Sequence, residues 1–446
     1  MQIKIPERIV AITEEVDVLV VGGGPAGIGA AISAARQGVR VMLLEKRGFL
    51  GGNITSSYVE TCNHFLHNTT FHTTGLYAEI QENYKEQYGR SHDIREDSQA
   101  HRFSSEYLKV FLDDLMEQEG IHVKHHAFVN EVVLEGDKIA AVIIQTKQGP
   151  LAVKAAMVVD ATGDGDIAFS AGVPFEQGRA SDGVCQPGTL NFRIAGVDVE
   201  KLNAYKGGLN ALSMLISDRH AAGETSMSCK RQWMAFGRLT AGGQISYLNY
   251  ADVYHIDPTN VDDLTRGEQE GRRYVMETYR YLKKNIEGME NIEIASIAPE
   301  MGYRDSRRIQ GQYRLTTKDI ENSTIFEDVI AVYPRFYDML ALDGDWSKGR
   351  GFDSDAVYIA IEGDRSYQIP YRCLLPVQVN NLLLAGRCIC ADHLAESTLR
   401  AISACMLTGQ AAGIGAAMAY MGSILPVDVD IKQLQNLLKE QGVELV

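Results

Sequence analysis

The chain of 446 residues has only two tryptophans, 11 prolines and an odd, scattered set of seven cysteines. So few thiols over this length do not make a disulfide framework, which predicts reduced cysteines and a cytoplasmic location. Positive charge is in short supply as well. Lys and Arg number 43 against 58 Asp and Glu, a formal net charge of −15, which argues against nucleic acid or an anionic membrane as a partner. The opening segment MQIKIPERIV carries Glu7 and no long apolar core, so it does not read as a secretory leader. No run reaches the roughly 18 uncharged apolar residues of a spanning helix, and no membrane span is expected. Internal repeats and low-complexity tracts are also lacking, so motifs must mark the boundaries. With 45% hydrophobic and 23% charged residues the chain is globular and long enough for two domains.

The most informative stretch is DVLVVGGGPAGIGAA, Asp17 to Ala31. Val16 to Val21 reads as a buried parallel strand. Gly22, Gly24 and Gly27 then give the tight turn, the close backbone approach to a phosphate and the close packing of helix on strand. A helix is predicted from Pro25 to about Gln37, with Gly38 as its stop and its positive end aimed at the ligand. VRVMLLEK supplies a second strand ending at Glu45, where a carboxylate can accept ribose hydroxyls. Strand, glycines, helix, strand and acid in this order point to a dinucleotide. NAD, NADP and FAD all use such turns. Only Arg47 lies right behind the second strand, which argues mildly against a 2′-phosphate.

Two further stretches narrow the choice. MVVDATGDGDIAFSAG, Met157 to Gly172, reads as a strand, an Ala161-Thr162-Gly163 turn and a carboxylate-rich helix start, preceded by a hairpin turning at residues 135–137. Asn380 to Tyr420 reads as a late strand ending at Gly386-Arg387 and a long helix of small residues. A two-domain flavoprotein needs this return of the chain, and a plain NAD domain does not. With GFLGGN (48–53), QPGTLNFRIAGVD (186–198), GYRDSRRIQGQYRLT (302–316) and IPYRCLLP (369–376), the chain resembles the FAD-dependent oxidoreductase family, within the fumarate reductase and succinate dehydrogenase-like superfamily. The resemblance runs from about residue 16 to 420. It is specific for cofactor and fold and poor for substrate.

The resemblance implies an α/β fold: a Rossmann-type FAD-binding domain from residues 1–168 and 370–446, with an inserted α+β substrate or cap domain over 169–369. It places Gly22, Gly24, Pro25, Ala26 and Gly27 at the FAD pyrophosphate, and Glu45, Lys46 and Arg47 beside the adenosine ribose. Gly51, Gly52 and Asn53 would pass close to the ribityl chain and ring. Ala161, Thr162 and Gly163 would meet the adenosine half, with Phe128 or Val129 near adenine. Gly386 and Arg387 would reach the pyrophosphate or ribityl chain. Ser397, Thr398 and Leu399 would bring a helix N-terminus to the flavin's N1/O2 edge, where a reduced flavin carries negative charge. Arg400 would add a cation there, or pair with Glu396.

Candidate chemistry rests on a few side chains. Arg304, Arg307 and Arg308 form the densest cationic cluster and, on one helical face, would grip an anionic group of a small-molecule substrate; each can equally serve the fold by pairing with Asp305 or other acids. His393 lies in the loop beside the expected ring position and suits proton transfer. His64, His67 and His72 lack ligand spacing, and no metal site is expected. Cys388 and Cys390 read as small buried thiols. Tyr247, Tyr250, Trp233 and Tyr367 are candidate pocket residues. The expected reaction is hydride transfer between a small polar substrate and flavin N5, with an unnamed electron acceptor or donor. An oxygen-using oxidase or hydroxylase, or a flavin-holding protein without catalysis, are the alternatives.

Overall fold

In the computed structural model, the described residues are 3, 7–60, 74–89, 103–205, 207–231, 234–334, 336–344, 357–360 and 366–445. Strand β1 (Ile12–Val21) leads through the glycine turn into helix α1 (Pro25–Ala35) and then strand β2 (Val41–Leu44). β1 lies parallel to β2, with Val21 opposite Leu44. Strand β3 (His122–Lys124) extends this side, and β4 (Phe128–Glu135), β5 (Lys138–Thr146) and β6 (Gly149–Asp160) form an antiparallel extension on the other. The sheet order is β3-β2-β1-β6-β5-β4. The C-terminal half of β6 is also paired, in parallel, by Leu382–Leu384. The late strand therefore returns to the centre of the first sheet, as the sequence implied.

The long helix Ile402–Gly422 then lies across α1 at backbone distance. A Cβ on Gly409 would stand 2.0 Å from Ala26 O, and one on Gly413 2.2 Å from Ala30 O. Ser33 Oγ adds a hydrogen bond to Gln410 O at 2.9 Å. This helix corrects one expectation. Its 21 residues are long and apolar enough to cross a membrane, yet 94% of its most apolar window is buried inside the protein. Small residues that let two backbones touch make the window apolar, so the composition reflects helix packing in a core.

A second sheet, of strands Glu293–Ile297, Gly188–Ala195, Ile245–Val253 and Ala235–Phe236, carries the 25-residue helix Val261–Asn285. That helix starts at Asn260, whose side chain accepts the N–H groups of Asp262 and Asp263, a standard way to satisfy a helix N-terminus. The apolar side chains form two clusters. One gathers Leu190 to Met301 with Tyr58; the other joins both ends of the chain and includes Ile309, Leu315, Tyr337, Tyr367 and Ile369. The segment 302–308 lies between the two.

Candidate functional site

Three of the turn glycines are closed by the protein itself. A Cβ on Gly22 would lie 2.4 Å from Ala161 O, one on Gly27 1.7 Å from Gly22 O, and one on Gly52 2.8 Å from Gly24 Cα. Gly24 differs, because a Cβ there would meet only Gly52 Cα, at 3.7 Å. The first turn of α1 has no side-chain cap. Free N–H groups beside a side-chain-free wall form a cradle for phosphate. Gly51 N–H donates to Gly23 O at 2.8 Å and holds the second wall in place. Buried Glu45 accepts the N–H groups of Gly23 at 2.7 Å and Arg47 at 2.8 Å. Arg47 is committed to Glu45 and Glu300, so two carboxylates already balance it. Lys46 is exposed.

The run from Tyr303 to Arg308 ties this cradle to the second sheet. Tyr303 O accepts from Asn53 Nδ2 at 3.4 Å and from Arg387 Nη1. Arg304 Nη1 donates to Pro187 O at 2.6 Å and Thr189 Oγ1 at 2.7 Å. Asp305 Oδ2 lies 2.5 Å from His393 Nε2, and its Oδ1 accepts Gln186 N–H at 2.8 Å. Ser306 Oγ donates to Asp164 Oδ1 at 2.6 Å. Arg307 Nη1 donates to Asp164 O at 3.0 Å and Asp166 Oδ1 at 2.9 Å, with its guanidinium over the Phe169 ring. Arg308 Nη1 donates to Glu396 Oε2 at 3.1 Å, and its Nη2 to Gly178 O at 2.8 Å. Six consecutive residues thus tie together the Asn53 segment, residues 164–166, the 178–189 segment and the 387–396 region.

The electrostatics around this run are uneven. Burial works against ionisation of Asp305, yet the hydrogen bonds from His393 and the Gln186 N–H hold its carboxyl below the usual range. Burial, then the charge of Asp305, push Glu396 up to about 8. Burial also draws the Arg304 guanidinium down, while Asp252 opposes that. Asp252 Oδ1 stands 4.0 Å from Arg304 Nη2, but the same carboxylate is held by Arg231 Nη1 at 3.1 and 3.2 Å and by the Thr189 hydroxyl. The buried guanidinium of Arg231 and the partly buried one of Arg304 share one carboxylate.

A cradle suited to a pyrophosphate, a late strand returning to β6 and a second sheet tied to the cradle's wall through Tyr303 and Arg304 are the parts of a flavoprotein. The family described as FAD dependent oxidoreductase matches residues 17–438. The chain belongs to this family, and its cofactor is FAD. A urocanate reductase of Eggerthella lenta is 49% identical over 49 residues, 11% of this chain and 8% of that protein. A thiamine thiazole synthase of Desulfosudis oleivorans is 27% identical over 165 residues, 35% of this chain and 59% of that protein. The matches thus span less than two thirds of these curated relatives. Among solved structures, a geranylgeranyl bacteriochlorophyll reductase-like protein of Thermoplasma acidophilum aligns with a TM-score of 0.48 at 14% identity, covering 96% of this chain and 84% of that one.

The donor set suits the family's cofactor. The open Gly24 cradle, the uncapped α1 and buried Glu45 fit a pyrophosphate and an adjoining ribose. Other predicted residues sit differently from the expectation. Arg304, Arg307 and Arg308 share no helical face: Arg307–Ile309 is a strand paired with Phe175–Gln177, and Arg304 precedes it in a bend. Alternation along extended backbone sends their side chains to separate partners. Arg387 is clamped to Gly163 O at 2.9 Å, Tyr303 O and Asp164, which makes it a brace beside the cradle. A Cβ on Gly386 would press to 2.8 Å from the Ala26 side chain.

Ser397, Thr398 and Leu399 end a seven-residue helix, His393–Leu399, and do not begin one. The long helix starts at Ile402 after a break, with Ala401 as its N-cap. Arg400 pairs with Asp338 at 3.1 Å, not with Glu396. The Thr162 hydroxyl is spent on Asp160 at 2.7 Å, and burial pushes that aspartate up to about 6. Phe128 is exposed and Val129 partly buried, just after Ala127, whose N–H donates to Glu45 O at 3.0 Å. Tyr247, Tyr250 and Tyr367 are buried. Cys388 and Cys390 are free, buried thiols, and burial pushes both up. His64, His67, His72 and Trp233 lie outside the described residues.

The sequence reading missed Asp305, Glu396 and Asp252 as site residues. Asp305 stands inside the arginine run and was weighed only as a counter-ion. Alternating acid and base in YRDSRR is the signal that would have found it, since a carboxylate among guanidiniums in an extended segment points to its own partner.

Proposed function

We propose that the protein is an FAD-dependent dehydrogenase or reductase acting on a small, polar substrate that carries an anionic group. The observation that supports this reading most is the adjacency of Arg304 and Asp305. One presents a partly buried guanidinium whose carboxylate is shared; the other holds an imidazole. In this reading Gly24, Pro25, Ala26 and Gly27 cradle the pyrophosphate, with Gly22 shaping the turn. Glu45 and Lys46 serve the ribose, and Gly51, Gly52 and Asn53 run along the ribityl chain. Residues 1–168 and 370–446 hold the cofactor, and the sheet and helix within 169–369 close over it. FAD, when bound, supplies a two-electron acceptor or donor at N5.

The side chains do the rest. Arg304 Nε and Nη2 have no hydrogen-bond acceptor among the described residues. A substrate carboxylate there completes the charge balance and is gripped by two parallel N–H donors. His393 carries the proton that accompanies the hydride, because its Nε2 is fixed by Asp305 while no hydrogen bond engages Nδ1 among the described residues. Arg307 and Arg308 already donate to Asp166 and Glu396, so they brace the site and leave the anion to Arg304.

Anaerobic mixing of the yellow protein with polyols, sugars, hydroxy acids and unsaturated acids tests the reaction class, the reduced protein being used for the last. Bleaching or re-oxidation by an acid from this panel is expected. A flavin that no acid in the panel reduces or re-oxidises removes the dehydrogenase reading, and turnover with oxygen in place of an artificial acceptor turns it toward an oxidase. Arg304→Lys keeps the charge and loses the planar fork, so KM for the acid should rise about 10- to 100-fold with kcat nearly unchanged. An unchanged KM would take the substrate anion away from Arg304.

A further inference from the structure

His393, Asp305 and Glu396 come from two segments nearly 90 residues apart, and one ligand atom of each lies within 4.8 Å of the other two. Asp305 and Glu396 have no exposed surface, and the His393 side chain keeps only 14%. Glu396 Oε2 is held by Arg308, but its Oε1 has no hydrogen-bond partner among the described residues. Three donor atoms this close invite a metal ion. Two observations speak against one. His393 Nε2 and Asp305 Oδ2 are 2.5 Å apart, whereas two ligands of one zinc-sized ion, each about 2.0–2.2 Å from it, stand about 3.3 Å from each other. The charges also disagree.

The groups facing this cluster can be counted element by element. Arg308 comes from the strand Arg307–Ile309 and meets Glu396 at 3.1 Å. Glu176, from the paired strand, is 3.9 Å from Arg308 but belongs to Arg314, at 2.7 Å. Arg387, from the turn after Leu384, is matched by Asp164. Burial pushes the thiols of Cys185 and Cys405 up, so they are neutral. What remains is Asp305, Glu396 and Arg308: two negative charges, one positive and a titratable imidazole. One proton makes the cluster neutral, while a divalent ion would leave an excess positive charge in a buried place.

We propose that Asp305, His393 and Glu396 form one proton-holding unit in which the resting protein keeps a single proton on Glu396. Glu396 is thereby a positioning residue for the Asp305–His393 pair. This rests on His393 being the proton carrier of the proposed reaction. An ionised Asp305 can only accept, so the neutral imidazole carries its hydrogen on Nε2 and leaves the lone pair on Nδ1. Moving the Glu396 proton to His393 would create a buried carboxylate with an unpartnered oxygen, which burial and the charge of Asp305 both resist. When a substrate hydroxyl gives its proton to Nδ1, its O–H bond breaks, an N–H bond forms, and the unit holds two protons. The partly exposed edge of His393 is the way out for the second.

Infrared and NMR spectra of the FAD-loaded protein test this without turnover. With carbon-13 glutamate labelling, a carboxylic-acid C=O band that shifts with the label is expected at pH 7, with half its intensity lost near pH 8. Glu396→Gln should remove it. The label separates this band from any of Asp160, and the pH difference on wild-type protein serves if the variant does not fold. Nitrogen-15 histidine spectra should show His393 as the neutral ring with hydrogen on Nε2. An absent band, an imidazolium at pH 7, or one equivalent of metal removable by a chelator would each overturn the proposal. Wild-type rates from His393→Ala, with the band still present, would instead remove the proposed role of His393 in the reaction.

Discussion

Gly24→Val should yield a folded and colourless protein. The Cβ site at Gly24 opens onto space, with Gly52 Cα at 3.7 Å as its only neighbour, so a valine fits the apo fold. The same two methyls would stand in the proposed place of the pyrophosphate and block its contact with the first N–H groups of α1. A charge-assisted hydrogen bond is worth about 1.5–3 kcal/mol, so losing even one, with the clash added, should weaken FAD at least about 100-fold. The neighbouring position behaves oppositely. Any side chain on Gly27 meets Gly22 O at 1.7 Å, so Gly27→Val should fail to fold. Flavin absorbance released on denaturation and circular dichroism, measured on the same samples, separate the two. Gly24→Val protein that still carries stoichiometric FAD would move the cradle elsewhere.

A larger kinetic effect is expected from the Asp305–His393 pair. His393→Ala should lower kcat about 10²- to 10⁴-fold, the usual span for a lost general base, while FAD stays bound. Asp305→Asn should cost a comparable amount by a different route. An asparagine turned with its N–H2 group toward Nε2 favours the tautomer with hydrogen on Nδ1, so the ring would face the substrate with a donor where it needs an acceptor. In wild type Asp305 is held low, so it stays an ionised acceptor for Nε2 and should add no step of its own to the activity profile across the working range. Arg307→Lys is the control: its partners are Asp166 and the Phe169 ring, so the melting temperature should drop while KM holds. Wild-type kcat in His393→Ala, with FAD bound, would leave the fold and cofactor standing and remove the proposed base.

The βαβ unit, the family and its cofactor were legible because their signals are local. The glycines at 22, 24 and 27, the apolar run before them and Glu45 all lie within one βαβ unit, where spacing in sequence is spacing in space. The late strand was legible for the same reason, as an apolar run with a glycine stop. The arginine run was not. Helical spacing and strand alternation compete over six residues, and the extended conformation won because Arg307–Ile309 pairs with a strand about 130 residues earlier that no local pattern announces. The helix ending at Leu399 escaped for a related cause. The chain breaks at Arg400, whose side chain is held by Asp338, a contact from 62 residues away. Asp252 was out of reach entirely, since only the folded second sheet brings it near Arg304.

The crossing of Ile402–Gly422 over α1 also sets an order of events during synthesis. The Ser33–Gln410 bond joins residues 377 apart in the chain, and Leu382–Leu384 completes the pairing of β6. The first 160 residues therefore emerge from the ribosome with the face of α1 bare and one edge of β6 unpaired. The nucleotide turn is made early, but the helix that packs against it comes from a part of the chain made much later. Contacts of such separation form slowly, and the exposed apolar surface in the interval invites association with other chains. On this packing FAD should bind in full only after Gly409 and Gly413 have seated on Ala26 and Ala30, so a chain cut before residue 402 is expected to carry no flavin.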